Sequence, residues 1–156
     1  MKLDYGSGRQ PKQGFKTSDF TGAPNYDFMI QNYEVIGATD GQFEAIHVRN
    51  VIHHIPEKDL STLFSEFSRL LEDGGTLIIS EPREEFHEQN KKLDWIWYRF
   101  LVNDTKIMIP DEYVDYKQYL TDFEVVSIEH EYNNEILTCR KKEYVHNNLK
   151  KCVSFA

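Results

Sequence analysis

The chain has 156 residues, 40% hydrophobic and 28% charged, which suits one domain able to bury a core without disulfides or metals. Its formal net charge of −8 argues against partners held by phosphate neutralisation, so neither nucleic acid nor an anionic membrane surface is expected. Cys139 and Cys152 stand at no metal-ligand spacing and read as reduced thiols. No run approaches the ~20 apolar residues of a membrane span, and the start lacks the apolar core of a secretion signal, so a cytoplasmic location is expected.

Taken in chain order, Lys2–Tyr5 is a short strand ended by Gly6. Residues 6–14 (GSGRQPKQG) are a loop, with three glycines and a proline. Phe15–Phe20 and Tyr26–Ile30 are the next strand candidates, and residues 31–42 are irregular. Phe43–Val48 is a fourth strand, from which Asn50–Pro56 leads away. Leu60, Leu63, Phe64, Phe67, Leu70 and Leu71 then form one apolar helical face, opened by Pro56, Glu57 and Asp59 and stopped by Asp73-Gly74-Gly75. Thr76–Ser80 is a continuous apolar strand of the kind buried on both faces.

A second helix is expected over residues 83–102, packing through Leu93, Ile96, Trp97, Phe100 and Leu101, with Trp95, Tyr98 and Val102 on another side. A third helix is expected over Asp111–Leu120. Glu124–His130 and Glu135–Cys139 are strands joined through Tyr132-Asn133-Asn134, a hairpin. Residues 1–140 then form the domain, and 141–156 a polar, basic tail. The fold class expected is α/β: a Rossmann-like, doubly wound, mostly parallel sheet with helices on both faces and a C-terminal antiparallel hairpin. In such sheets a ligand sits beyond the carboxyl ends of the strands, where strand order reverses. Those ends are Tyr5–Gly8, Asp19–Phe20, Ile30–Asn32, Arg49–His54 and Glu81–Pro82.

The stretches LDYGSG (3–8), SDF (18–20), FEAIHVRNVIHHIP (43–56) and LLEDGGTLIISEP (70–82), in that order and spacing, resemble a class I S-adenosylmethionine-dependent methyltransferase. The resemblance spans about residues 1–140. It is closest to the short predicted methyltransferases in which the glycine loop passes almost directly into the second strand. It implies S-adenosylmethionine as cofactor, held by Asp4, Tyr5, Gly6, Ser7 and Gly8. It further implies Asp19 at the ribose, Phe20 as a cofactor contact, Gln31 and Asn32 near the adenine, and Arg49 and Asn50 at the methionine moiety. Longer relatives carry N-terminal helices over the substrate. With the first strand starting at Lys2, the site is expected to be open unless the 83–102 helix or a second subunit covers it, through Trp95 and Tyr98 or the partner.

The glycines support close backbone approach to a ligand. A dinucleotide loop needs a helix N-terminus for pyrophosphate and an acid about 20 residues on, whereas Asp19 follows Gly8 by only eleven. S-adenosylmethionine has no phosphate, so the short loop argues against NAD and tolerates the sulfonium cofactor. Methyl transfer needs alignment, and a base only when the nucleophile arrives protonated. His54 is the first candidate for base or substrate contact, His53 the second, and Glu81 the third. A structural histidine is the alternative for His54, and a capping or solvent role for Glu81.

No metal is expected, because adjacent histidines on an extended chain point to opposite faces. There is no GK[ST] after the glycine loop and no Gly-x-Ser-x-Gly elbow. The expected partner is a small-molecule or sugar-type acceptor, and a homodimer is compatible with the hairpin edge and the aromatic helix. A non-catalytic, partner-dependent module is the rival from another class. Aminopropyl transfer is the rival within the cofactor family, disfavoured because no acidic cluster follows the fourth strand.

Overall fold

A computed structural model describes residues 1–20, 25–101 and 108–143. Eight strands form one sheet: β1 (Lys2–Tyr5), β2 (Lys16–Asp19), β3 (Phe28–Gln31), β4 (Glu34–Val35), β5 (Phe43–Arg49), β6 (Leu71–Pro82), β7 (Phe123–Glu131) and β8 (Asn134–Lys141). Their spatial order is β4-β3-β2-β1-β5-β6-β8-β7. The β3-β2-β1-β5-β6 core is parallel, while β4 and the β7–β8 hairpin pair antiparallel at the two edges. Order reverses between β1 and β5, which is where a sheet of this kind opens a crevice. The expected mostly parallel α/β sheet with its terminal hairpin is therefore observed.

Helix α1 (Glu57–Leu70) crosses from β5 to β6. Its stripe of Leu60, Leu63, Phe64, Phe67 and Leu70 is buried in one cluster with Leu3, Tyr5, Ile46, Val48, Leu77, Ile79 and Leu137 from alternate strand positions. Phe67 meets Tyr5 edge-on at 4.9 Å between ring centroids. Glu57 and Asp59 in the first turn and Arg69 in the last suit the helix dipole. The helix ends before the expected glycine stop, because Leu71 is taken into pairing with Phe43 and its side chain joins the core from β6. The other sheet face is more polar. Register sets Asp4, His47, Ile78 and Thr138 side by side, and Arg49, Ser80 and Ile136 one step further toward the strand ends.

Three segments differ from expectation. The 83–102 helix is a 3₁₀ turn (Glu84–Phe86), an α-helix α2 (His87–Ile96) and a π-helical turn (Trp97–Leu101); Val102 lies outside the described residues. α2 buries no residue, and its anticipated packing residues are exposed, Phe100 and Leu101 to 64% and 66%. The wider π turn breaks the 3.6-residue repeat, so the stripe read from sequence does not stay on one line. Over Asp111–Leu120 only a 3₁₀ turn forms, Tyr116–Tyr119, capped by the Asp115 side chain; it buries Tyr116 against Phe64. Finally, β4 occupies part of the stretch expected to be irregular, and Asn32 and Tyr33 turn the chain into it with positive φ. Residues 144–156, most of the anticipated tail, lie outside the described residues.

Candidate active site

At the β1–β5 switch point the glycine loop leaves β1. Gly6 has φ of +72°, and a Cβ there would stand 2.6 Å from Val51 Cγ2, so both backbone sterics and close approach demand glycine. Gly8 has φ of +56°, and none of the described residues comes within 4 Å of an added Cβ. Ser7 is buried and ties β1 to β2: its hydroxyl donates to the Asp4 carbonyl at 2.9 Å and accepts from the Ser18 N–H. Asp19, at the end of β2, accepts the Gly8 N–H on Oδ2 at 2.8 Å and the Phe20 N–H on Oδ1 at 2.7 Å. The Tyr26 hydroxyl also hydrogen-bonds this carboxylate, whose roughly four acceptor positions still leave room for a ligand hydroxyl.

Asp4 turns to the polar sheet face. Its Oδ1 lies 2.9 Å from His47 Nδ1, and its Oδ2 accepts the Lys12 N–H at 2.9 Å, which folds the loop back over the sheet. Among the described residues no helix connects β1 to β2; loop residues and Phe15, edge-on to His47, stand in that place.

Loop, strand ends and polar sheet face line one open groove of about 2260 Å³. Of the anticipated residues, Asp4, Gly6, Ser7, Gly8, Asp19, Phe20, Arg49, Asn50 and His54 line it. Tyr5, Gln31, Asn32, His53 and Glu81 do not. Tyr5 points into the core, where its hydroxyl donates to the Tyr33 carbonyl at 2.8 Å and burial pushes its pKa well up. Gln31 is paired opposite Glu34 in the β3–β4 ribbon, so Tyr33 takes the groove position instead. The Tyr33 ring sits edge-on to Phe20, and its hydroxyl, donating to Asp59, is pushed up to about 12 chiefly by burial.

Sequence reasoning also missed Val51, Arg9 and Asn134. Arg9 lies over the Trp97 ring at 5.6 Å, across the groove mouth. Asn134 links Asn50 Oδ1 and Ser80 Oγ at 2.9 and 3.0 Å. Only Val51, adjacent to the Asn50–His54 segment, carried a sequence signal. Of the two residues proposed as cover, Tyr98 lines the groove and meets His54 edge-on at 5.6 Å. Trp95 is exposed and packs against Phe100.

Beyond β5, Ile52–His54 forms a 3₁₀ turn. Glu81, 2% exposed beneath it, accepts the Val51 and Ile52 N–H groups on Oε1 at 2.9 and 2.7 Å. Its Oε2 accepts the His53 N–H at 3.3 Å and lies 2.6 Å from His53 Nδ1. This carboxylate clamps the turn rather than facing the groove. The turn also sets the two histidines on the same side, rings 4.1 Å apart, where an extended chain would separate them. His54 is held down to about 3, first by burial and then by His53, so its imidazole is neutral over the physiological range. Asp94 on α2 is raised to about 6 by burial, partly opposed by His53 and the Ile109 N–H.

A glycine cradle at the switch point, an acid closing β2, and a histidine-bearing turn beyond β5 define a Rossmann-like class I methyltransferase architecture. The chain belongs to the family described as methyltransferase domain, whose model matches residues 3–125. Solved structures with this fold include a methyltransferase from Archaeoglobus fulgidus described as SAM-dependent, with 12% identity over 90% of this chain and 85% of that one (TM-score 0.63). A SAM-dependent methyltransferase from Methanosarcina mazei shares 12% identity over 90% and 92% (TM-score 0.60). The 1,6-didemethyltoxoflavin-N1-methyltransferase of Burkholderia thailandensis, solved with S-adenosylhomocysteine and 1,6-didemethyltoxoflavin, shares 16% over 90% and 70% (TM-score 0.61). No curated protein sequence matches. No helix among the described residues is long and apolar enough to cross a membrane.

Proposed function

We propose that the chain transfers a methyl group from S-adenosylmethionine to a small-molecule or sugar-type acceptor. The observation that carries this is the cradle itself. Gly6 and Gly8 bare the backbone at the switch point, and the Asp19 carboxylate stands beside them, lining the groove. The residues fit the cofactor. Asp19 would take the ribose hydroxyls, Phe20, Tyr33 and Val51 would flank the apolar parts, and Asn50 with the loop would hold the methionine end. When bound, the cofactor supplies an activated sulfonium methyl, so the protein's task is alignment and exclusion of water.

The chain's own residues divide that work. Glu81 clamps the turn that carries Asn50, Val51 and His54, and so positions them without touching the reacting atoms. His54 and Tyr98 face the groove where an acceptor would enter. A neutral, buried imidazole with so low a pKa is a poor general base near neutrality. Its assigned role is therefore a hydrogen-bonding contact to the acceptor, which suits nucleophiles that arrive already deprotonated or lose their proton to water. The similarity to an enzyme whose described ligand is a small heterocycle supports a small acceptor. The acidic net charge supports one that is not nucleic acid. The proposal includes a cytoplasmic setting, with which the free, buried Cys139 agrees, and a homodimer.

A second reading, a non-catalytic module working through a partner, is favoured by one observation: the exposed aromatic and aliphatic surface of α2 and the π turn. Incubation with methyl-labelled S-adenosylmethionine and a panel of small-molecule and sugar acceptors separates the two. Labelled product that disappears with Asp19→Ala is expected. A folded chain that binds the cofactor weakly or not at all and labels no acceptor would favour the module.

A further inference from the structure

Between the Ile52–His54 turn and α2 lies a second cavity of about 290 Å³, lined by both histidines, Asn90 and Asp94. His53, His54 and Asp94 each bring one donor atom into it, all within 4.8 Å of one another. Among the described residues, three polar atoms there are buried without a hydrogen-bond partner: His54 Nδ1, Asp94 Oδ2 and Asn90 Nδ2. Buried polar atoms are nearly always satisfied, so three around one cavity call for an occupant.

The spacing says which kind. His54 Nδ1 and Asp94 Oδ2 are 3.6 Å apart, too far for a hydrogen bond. Two ligands at about 2.1 Å on a tetrahedral ion stand roughly 3.4 Å apart, close to what is observed. The surroundings match those of metal ligands. Glu81 holds His53 through Nδ1, fixing that nitrogen as the protonated one and leaving Nε2 with its lone pair free. Asp94 also takes a hydrogen bond from the Ile109 N–H, which orients the carboxylate. Asn90 lies one helical turn before Asp94 on the same face of α2, and exchanging its amide atoms would aim a carbonyl oxygen inward.

We infer that His53, His54 and Asp94 form a binding site for a divalent transition-metal ion, zinc in the first instance, with Asn90 or water as the fourth ligand. This accounts for the position of α2, which lies beside the site while its large apolar side chains Leu93, Trp95 and Ile96 stay exposed. A metal bridging the turn and the helix supplies the anchoring that apolar packing does not. Because His54 and Asn90 also line the main groove, the ion would stand in the groove's wall on the acceptor side.

The test uses the full chain, stripped with a chelator and dialysed, titrated with zinc against a chromophoric competitor and with cobalt(II) by visible absorption. One equivalent per chain is expected, with a cobalt spectrum of nitrogen and oxygen ligation. Asp94→Asn and His54→Ala should each weaken binding by more than about 10-fold, since even loss of a supporting partner costs that much. His130→Ala, on the exposed hairpin, should not. Zinc should also slow amide exchange in α2. Folding of each variant is checked by circular dichroism, and Asp94→Asn, close in shape and partly exposed, keeps the test open if His54→Ala does not fold. A folded wild type that binds neither metal, or binding untouched by both variants, overturns the inference.

Discussion

Replacing Glu81 by glutamine separates a clamp from a catalytic carboxylate. The side chain is 2% exposed and receives four contacts from one turn: the Val51 and Ile52 N–H groups on Oε1, and the His53 N–H and Nδ1 on Oε2. Glutamine offers one oxygen, which can keep Val51 and Ile52, but it turns an amide NH₂ toward His53. The His53 ring can change tautomer and accept; the His53 backbone N–H cannot. Loss of charge weakens the two retained bonds by about 1 kcal/mol each, and one orphaned donor costs about 1–3 kcal/mol more. Desolvation no longer suffered by a charge returns part of this, leaving a net loss of about 2–3 kcal/mol. For a chain of this size that lowers Tm by roughly 5–10 °C. Urea unfolding should show the midpoint fall with the m-value unchanged. A variant within about 0.5 kcal/mol of wild type would refute the clamp, and one equally stable yet inactive would return Glu81 to the chemistry.

Other outcomes follow from the same structure. Gly6→Ala places a Cβ against Val51 at positive φ and should cost about 1–3 kcal/mol, with weakened cofactor binding by calorimetry; an unaffected affinity would contradict the cradle. Phe67→Ala empties the space beside Tyr5 and Phe64 and should cost about 3–5 kcal/mol in chemical denaturation. Cys139 is buried and its thiol is pushed up to about 11, so in a Cys152→Ser chain it should react with thiol reagents only on unfolding. The unfolded chain gives up that proton first, so this group's contribution to stability is complete below about pH 9 and is lost as pH rises toward 11. Rapid stoichiometric labelling of the native protein would contradict its burial.

The sheet was legible because most of its strands carry short apolar runs between glycines and turn residues, while β2 (KTSD) is marked only by the flanking Phe15 and Phe20; α1 was legible because five large apolar side chains share one stripe. The same logic failed for α2. An apolar stripe states which residues share a face, not whether anything covers that face, and the π turn then dissolves the stripe. β4 escaped because a two-residue strand has no period. At the site, the glycines and Asp19 were readable since their chemistry is local. Gln31 and Asn32 do not line the groove, because the β3–β4 turn, made by Asn32 and Tyr33 at positive φ, brings Tyr33 there. Glu81 was ambiguous because its partners lie about 30 residues away on backbone N–H groups, which no side-chain pattern reveals. The neighbouring histidines looked divergent on an extended chain; the 3₁₀ turn that turns both rings to one side is held by that same carboxylate.

The most direct measurement is calorimetric titration of the pure chain with S-adenosylmethionine and S-adenosylhomocysteine, in wild type and Asp19→Ala. Asp19 supports the loop through Gly8 as well as facing the ligand, so folding of the variant is checked in parallel. Micromolar binding of both ligands by wild type, lost in a folded Asp19→Ala, is the predicted result. A folded wild-type protein that binds neither would contradict the account and leave a partner-dependent module in its place.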